Sequence, residues 1–175
     1  MLRCIATLKG IAPGHRARAR MRKGDFVPTD MDGFSADEHI RVLCVDDYPD
    51  TADSAATLLR IVGFEARACY NGAAALRIVR DFRPGVCLID LNMPGMPGDE
   101  LASRLRAIPE LQPLLLVAVT AMSCPESFQR IQAAGFNIHM IKPVDPYKLV
   151  KVVDSLFELR ESGVVGTRFV KSSWG

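Results

Sequence analysis

One stretch of the sequence decides the fold: VCLIDLNMPG, residues 86–95. Four apolar residues with no polar face end at the carboxylate of Asp90, and a turn rich in Pro and Gly follows. This pattern is typical of a strand that is buried on both faces in a parallel sheet. In open α/β sheets, ligands bind at the carboxyl ends of such strands. We therefore expect Asp90 to lie at a site of chemistry.

Four further apolar runs predict strands on either side of this one, at residues 40–45, 65–70, 114–120 and 138–142. Helical spacing of apolar residues follows each strand, with Asp50 and Asp145 as N-caps and Gly63 and Gly135 as helix ends. Five strands that alternate with five helices over about 120 residues predict a doubly wound (βα)5 parallel sheet, because the crossovers are right-handed.

The charge of the chain is unevenly distributed. Seven of its 22 basic residues and none of its 20 acidic residues lie within the first 24 positions, which leaves 15 basic residues for the remainder. The mildly acidic remainder argues against nucleic-acid binding by the globular part. Residues 1–38 contain a basic run and no periodicity, which is typical of a disordered extension; binding to an acidic partner, to nucleic acid or to a membrane surface is the alternative. A third possibility is that this segment is not native and that the protein truly starts at Met21 or Met31.

The cysteines and the hydropathy indicate the compartment. Five cysteines are widely scattered without a Cys-x-x-Cys pair, which favours buried thiols over disulfides or a zinc site. This usage suits a reducing cytosol, so we expect a cytoplasmic protein. No apolar run approaches the roughly 20 residues of a membrane helix, so no membrane span is expected.

Polar residues end four of the predicted strands, where a parallel sheet would place them on one edge. Asp46 and Asp47 end the first strand, Asp90 the third, Thr120 the fourth and Lys142 the fifth. Clustered carboxylates repel one another unless a cation joins them, and Mg²⁺ prefers oxygen ligands. A Lys and a Thr suit phosphoryl oxygens as partners. The set predicts Mg²⁺-dependent phosphoryl transfer with Asp90 as nucleophile.

Each of these residues also has a simpler interpretation. Asp46 and Asp47 could cap the helix that follows, Thr120 could be an ordinary strand end, and Lys142 could be solvated. A buried carboxylate at Asp90 is harder to explain without a function, because burial of a charge is costly. The convergence of four strand ends favours the functional interpretation.

The chain resembles the receiver domain of two-component response regulators over residues 39–160. Four motifs carry the resemblance, in the family's order: VDD at 45–47, LIDLNMPG at 88–95, VTA at 119–121 and KP at 142–143. The resemblance implies a flavodoxin-like five-stranded sheet of order 2-1-3-4-5. Residues 161–175 would then form a C-terminal tail, and residues 1–38 an N-terminal extension.

The resemblance also implies a role for each site residue. Asp90 is the phosphoacceptor and one of the ligands of Mg²⁺. Asp47 binds the ion directly, Asp46 mainly through water, and Asn92 through its backbone carbonyl.

On the phosphoryl side, the resemblance implies that Thr120 hydrogen-bonds the transferred group and that Lys142 pairs with it. The Lys142–Pro143 peptide is expected to be cis. One position departs from the family, which usually has Tyr or Phe three residues before the Lys, where this chain has His139. In the family this ring moves inward when the Thr shifts toward the phosphate. A switch role for the smaller, polar ring of His139 and an ordinary surface histidine both stay open.

The resemblance implies partners as well. A histidine kinase or a histidine phosphotransfer protein supplies the phosphoryl group, and a downstream protein binds the face of helix 4, strand 5 and helix 5. Only 14 residues follow residue 161, so no DNA-binding domain is expected, and the signal leaves through protein contact or a phosphorelay. A homodimer and a fragment of a hybrid kinase stay open. The protein is expected to assist its own phosphorylation and dephosphorylation and not to be a turnover enzyme.

Two other functional classes are compatible with parts of the pattern. A Mg²⁺-dependent aspartyl-phosphate phosphohydrolase, such as a haloacid dehalogenase, would require Asp-x-Asp, but this chain has Asn92 at the second position. A receiver-like scaffold would act without phosphorylation. The intact Asp90, Thr120 and Lys142 argue against the scaffold, whereas His139 leaves it open.

Overall fold

The computed structural model describes residues 40–121 and 125–161, with side chains as far as residue 156. Strands and helices alternate along this part of the chain. The strands are β1 (Arg41–Val45), β2 (Glu65–Cys69), β3 (Val86–Asp90), β4 (Leu115–Thr120) and β5 (Ile138–Ile141). The helices are α1 (Pro49–Ile61), α2 (Gly72–Phe82), α3 (Gly98–Arg106), α4 (Pro125–Ala133) and α5 (Pro146–Glu161), with a 3₁₀ turn at Pro109–Leu111.

The five strands form one parallel sheet of order β2-β1-β3-β4-β5, which confirms the predicted fold class. The first strand, β1, lies next to the central strand of the sheet; β2 pairs with β1 on its outer side, and the chain then crosses to β3 on the other side. The switch point of this topology therefore lies between β1 and β3, where ligand sites of doubly wound sheets are found.

The core lies on both faces of the sheet. All five positions of β3 are buried, as the continuous apolar run predicts. Alternate residues along a strand face opposite sides. Val42 and Leu88 pack with residues of α1 and α5, whereas Leu43 and Ile89 pack with residues of α2, α3 and α4. Two helices therefore cover one face and three cover the other.

Of the two N-caps predicted from the sequence, one is confirmed and one is wrong. Asp145 accepts a hydrogen bond from the backbone N–H of Lys148 at 2.8 Å, which confirms it as the N-cap of α5. The prediction that Asp50 is the N-cap of α1 is wrong. Asp50 lies in the first turn of the helix, and Tyr48 occupies the cap position. The reason is Pro49, whose fixed φ suits the first helical residue, so that the helix begins earlier.

Arg106, at the end of α3, ties the amino ends of β4 and β5 together. Its guanidinium donates to the carbonyl oxygen of Gly135 at 2.7 and 2.9 Å, to Oδ1 of Asn137 at 2.6 Å and to the carbonyl oxygen of Leu114. The same Oδ1 of Asn137 accepts from the backbone N–H of Leu116 at 2.8 Å. One side chain thus satisfies several backbone groups at the edge opposite to the switch-point end.

The predicted extension at 1–38 and the predicted tail, apart from residue 161, lie outside the described residues. Within the described ranges, no helix combines the length and the apolar character that crossing a membrane would require.

Replacement of Arg106 by Met should lower the free energy of unfolding by about 2–4 kcal/mol, because several partly buried acceptors would lose a charged donor. Urea unfolding measures the change. Arg104→Met is the matched control: Arg104 lies on the same helix and forms an exposed ion pair with Glu100, so its loss should cost about 0.5 kcal/mol or less. Equal costs for the two variants would contradict the structural role of Arg106.

Candidate functional site

Three carboxylates meet at the carboxyl ends of β1 and β3. Asp46 and Asp47 directly follow β1, and Asp90 is the last residue of β3. Because Val45 lies opposite Ile89 in the parallel pairing, the next residue of each chain segment falls side by side. One oxygen from each carboxylate lies within 4.8 Å of the other two, with Asp46 and Asp90 buried and Asp47 partly buried.

Lys142 reaches this cluster from the end of β5. Its ammonium lies 2.7 Å from Oδ2 of Asp46 and 3.3 Å from Oδ1 of Asp90. The backbone N–H of Lys142 donates to the carbonyl oxygen of Thr120 at 2.8 Å, which joins the ends of β4 and β5. The Lys142–Pro143 peptide is cis in the structure. The cation is thus positioned between two carboxylates that come from two other strands.

Burial and charge act in opposite directions on the ionisation of this cluster. Burial raises the pKa of Asp90, and the neighbouring charge of Asp46 raises it further, although Lys142 and a backbone hydrogen bond from Asn92 oppose the shift. Burial by itself would lower the pKa of Lys142, but the hydrogen bond to Asp46 and the charges of both carboxylates together raise it. Lys142 is therefore charged at neutral pH, and its ammonium contacts two of the three carboxyl groups in the cluster.

The oxygens of Asp46 and Asp47 differ in their surroundings. Oδ1 of Asp46 accepts from the backbone N–H of Tyr48 at 3.0 Å, and its Oδ2 accepts from Lys142 at 2.7 Å. Oδ1 of Asp47 is buried, and none of the residues in the described part of the chain donates a hydrogen bond to it. A buried, unpaired carboxylate oxygen is costly unless a cation binds it. The donor set therefore fits a hard cation, and Asp47 has the oxygen available for it.

Gly98, the first residue of α3, brings the helix against the backbone of Asp90. A Cβ atom at this position would lie 2.1 Å from the carbonyl oxygen of Asp90 and 2.9 Å from Cα of Leu91. The N–H of Gly98 donates to the carbonyl oxygen of Leu91 at 3.0 Å, which closes the loop between β3 and α3. The sequence signal for this residue is a Gly at the start of a helix, followed by two acidic residues, and such a signal does not by itself predict a close backbone contact.

His139 lies apart from the acidic cluster. It is opposite Ala118 in the pairing of β4 with β5 and is half-buried. Its ring meets the ring of Phe128 on α4 edge to face, with centroids 5.7 Å apart and an interplanar angle of 86°. Thr120 is buried at the end of β4, two residues beyond Ala118 on the same face of the sheet. The strand and the helix that follow Thr120 therefore meet through His139 and Phe128.

The structure thus brings four of the predicted site residues into one cluster: Asp46, Asp47, Asp90 and Lys142. Thr120 joins it through the backbone of Lys142, and Asn92 is the exposed second residue after Asp90. An arrangement of this kind can bind a divalent cation and neutralise charge on an anionic group attached to Asp90.

Known proteins share both the sequence pattern and the fold. The model of the response regulator receiver domain family matches residues 42–154. The chain is 30% identical over 122 residues to chemotaxis protein CheY-3 of Vibrio cholerae, which covers 69% of this chain and 94% of that protein. It is 34% identical over 127 residues to transcriptional regulatory protein PrrA of Mycobacterium leprae, covering 73% of this chain but only 53% of that protein.

Among solved structures, the chemotaxis response regulator CheY4 of Vibrio cholerae has a TM-score of 0.63 at 27% identity. The similarity covers 67% of this chain and 98% of that one.

Replacement of Gly98 by Ala should lower the free energy of unfolding by about 2–4 kcal/mol, because a new Cβ would collide with backbone atoms of the core loop. Urea unfolding measures the effect. Gly72→Ala is the control, since Gly72 also begins a helix but its Cβ would meet only the flexible side chain of Met96. That variant should change stability by about 1 kcal/mol or less. Wild-type stability of Gly98→Ala would contradict the close approach.

Proposed function

The chain belongs to the response regulator receiver domain family, and we propose that it accepts a phosphoryl group on Asp90 in a Mg²⁺-dependent reaction. The phosphoryl donor is a histidine kinase or a histidine phosphotransfer protein. The observation that carries the proposal is the cluster of Asp46, Asp47 and Asp90 with Lys142 inserted between two of them. Nucleophile, cation ligands and a counter-charge are the components that phosphoryl transfer requires.

Asp90 is the nucleophile of the proposed reaction. A carboxylate oxygen attacks the phosphorus of a phosphohistidine in line, the new O–P bond forms as the N–P bond breaks, and the donor's imidazole takes a proton as it leaves. The attacking carboxyl group must be ionised, yet burial raises its pKa. The ammonium of Lys142, 3.3 Å from Oδ1, favours the ionised form and so keeps Asp90 reactive at neutral pH.

Lys142 and Thr120 then hold the product. The distance from the ammonium to Oδ1 of Asp90 puts a phosphoryl group on that carboxylate within its reach, so Lys142 can exchange its contact with Asp46 for one with a phosphoryl oxygen. We assign the hydroxyl of Thr120 to a second phosphoryl oxygen, because the residue lies at the end of the adjacent strand and its backbone is bonded to that of Lys142.

The carboxylates of Asp46 and Asp47 have different parts in binding the cation. We assign direct coordination to Asp47, whose buried oxygen has no donor in the described part of the chain. Asp46 already accepts two hydrogen bonds, so it acts mainly through water. Asp90 and the backbone carbonyl of Asn92 complete the ligand set. When bound, Mg²⁺ supplies positive charge against the oxygens of the phosphoryl group.

The output of the proposed receiver is a shift between two conformations. Movement of Thr120 toward the phosphoryl group changes the space beside His139, whose ring contacts α4. Such couplings are typically worth about 1–3 kcal/mol, which changes populations and leaves the fold intact. The face of α4, β5 and α5 then binds a downstream protein or the chain passes the phosphoryl group along a relay. We place the receiver domain at residues 39–160 and propose a cytoplasmic location.

Incubation with Mg²⁺ and acetyl phosphate should add one phosphoryl group to the protein, as seen in the intact mass. Asp90→Asn should show no adduct, because the nucleophile is gone, and chelation of Mg²⁺ should abolish labelling of the wild type. Absence of an adduct in protein that binds Mg²⁺ would favour the scaffold. Continuous release of phosphate well beyond one equivalent would instead indicate a phosphohydrolase.

Asp47→Asn should weaken Mg²⁺ binding by at least about tenfold, because one anionic ligand becomes neutral. Titration calorimetry measures the affinity. Asp50→Asn removes the same charge from an exposed position in the first turn of α1, outside the cluster, and should change the affinity by about twofold or less. Equal losses in the two variants would mean that the ion responds to the general acidity of the region and not to Asp47.

A further inference from the structure

A bidentate ion pair between Asp99 and Arg130 joins α3 to α4. Nε of Arg130 donates to Oδ2 of Asp99 at 2.9 Å, and Nη2 donates to Oδ1 at 2.6 Å. The two residues are 31 positions apart in sequence, so the pair is a tertiary contact. Parallel N–H···O bonds between a guanidinium and a carboxylate fix both the distance and the relative orientation of the groups. The pair therefore sets where α4 lies against α3.

The α3 end of this pair is built on the phosphoacceptor loop. Asp99 directly follows Gly98, the residue that packs against the carbonyl group of Asp90 with no room for a side chain. The N–H of Gly98 also bonds to the carbonyl oxygen of Leu91. A displacement of the backbone at Asp90 is consequently passed to the first turn of α3 and to the carboxylate of Asp99.

The α4 end lies beside the predicted switch. Phe128, whose ring contacts His139, is two residues before Arg130 on the same helix. The two side chains hold α4 on different neighbours, Phe128 on β5 and Arg130 on α3. A movement of α4 away from α3 must therefore break the bidentate pair, even where the ring contact is kept.

We propose that Asp99 and Arg130 are positioning residues that hold α4 in its unphosphorylated place and couple it to the backbone of Asp90. This inference rests on the proposed receiver function and deepens it. The bidentate geometry does not survive helix shifts of about 1–2 Å, which are common in switching proteins. The pair is thus made in the resting arrangement and lost in the shifted one, so it favours the resting arrangement.

The size of this bias follows from the exposure of the pair. The side chains are 42% and 25% exposed, so water screens their attraction. Exposed pairs of good geometry change an equilibrium by about two- to fivefold. Loss of the pair should multiply the population of the shifted arrangement by that factor. By reciprocity, a phosphoryl mimic that favours the shifted arrangement should bind more tightly by the same factor.

The test uses beryllofluoride, a phosphoryl mimic, and measures its affinity in the presence of saturating Mg²⁺ by NMR titration of the full chain. Asp99→Asn and Arg130→Gln should each tighten binding by about two- to fivefold, and the double variant should show no further gain, because the pair is already broken. Melting curves establish that each variant is folded.

Arg104→Gln is the matched control for Arg130→Gln. It removes one positive charge and one ion pair of 2.6 Å to Glu100, but that pair lies within α3 and does not reach α4. General electrostatics affects the two Arg variants alike, so affinity in the control should stay within about 1.5-fold of the wild type. A merely stabilising role for Asp99 and Arg130 would move the melting temperature without changing this affinity.

The possible results distinguish a failure of the positioning role of Asp99 and Arg130 from a failure of the proposed receiver function. If the wild type binds beryllofluoride and the variants bind it equally or more weakly, the positioning role is overturned and the receiver function stands. If the wild type does not bind beryllofluoride while Mg²⁺ is bound, the proposed function itself is contradicted. Additive gains in affinity in the double variant would mean that the two residues act separately, which would also contradict a positioning role for their ion pair.

Discussion

The ion pairs of the Lys142 ammonium with the carboxylates of Asp46 and Asp90 depend on the organisation of the whole sheet. The residues come from the ends of β5, β1 and β3, and the Lys and the first Asp are 96 positions apart. Only a parallel sheet with β1 and β3 at its centre brings these ends to one edge. Burial of the carboxylates is tolerable because this cation opposes their charge. The same arrangement leaves excess negative charge, which makes the edge a site for a metal ion.

The hydrophobic layers place this charge cluster without contributing to its chemistry. Because β3 is buried at every position, Asp90 can be reached from solvent only at the carboxyl end of the strand. Gly98 then folds the next helix back onto the backbone of Asp90. Arg106 fastens the opposite edge, where it bonds the carbonyl groups that precede β4 and β5. Rigid packing at one edge and close approach at the other would let a small change at Asp90 reach α3, as the proposed switch requires.

Much of this arrangement could be predicted from the sequence, because local patterns carry it. The apolar run before Asp90 predicts a central strand, and the parallel sheet follows from the alternation of strands and helices. The strand order came from the resemblance to receiver domains. Long-range side-chain pairs could not be predicted: Asp99 with Arg130, and Arg106 with Asn137, leave no periodic signal. The predicted cap at Asp50 was wrong because Pro49 starts the helix earlier.

Mapping of the modified residue tests most directly whether Asp90 carries the phosphoryl group. Borohydride reduces an acyl phosphate on an aspartate to the alcohol of homoserine, and peptide sequencing by mass spectrometry then locates that residue. After treatment with Mg²⁺ and acetyl phosphate, we expect homoserine at position 90 and at no other aspartate. Homoserine at position 46 or 47 would contradict phosphorylation of Asp90, and so would the absence of homoserine from protein that has gained the mass of one phosphoryl group.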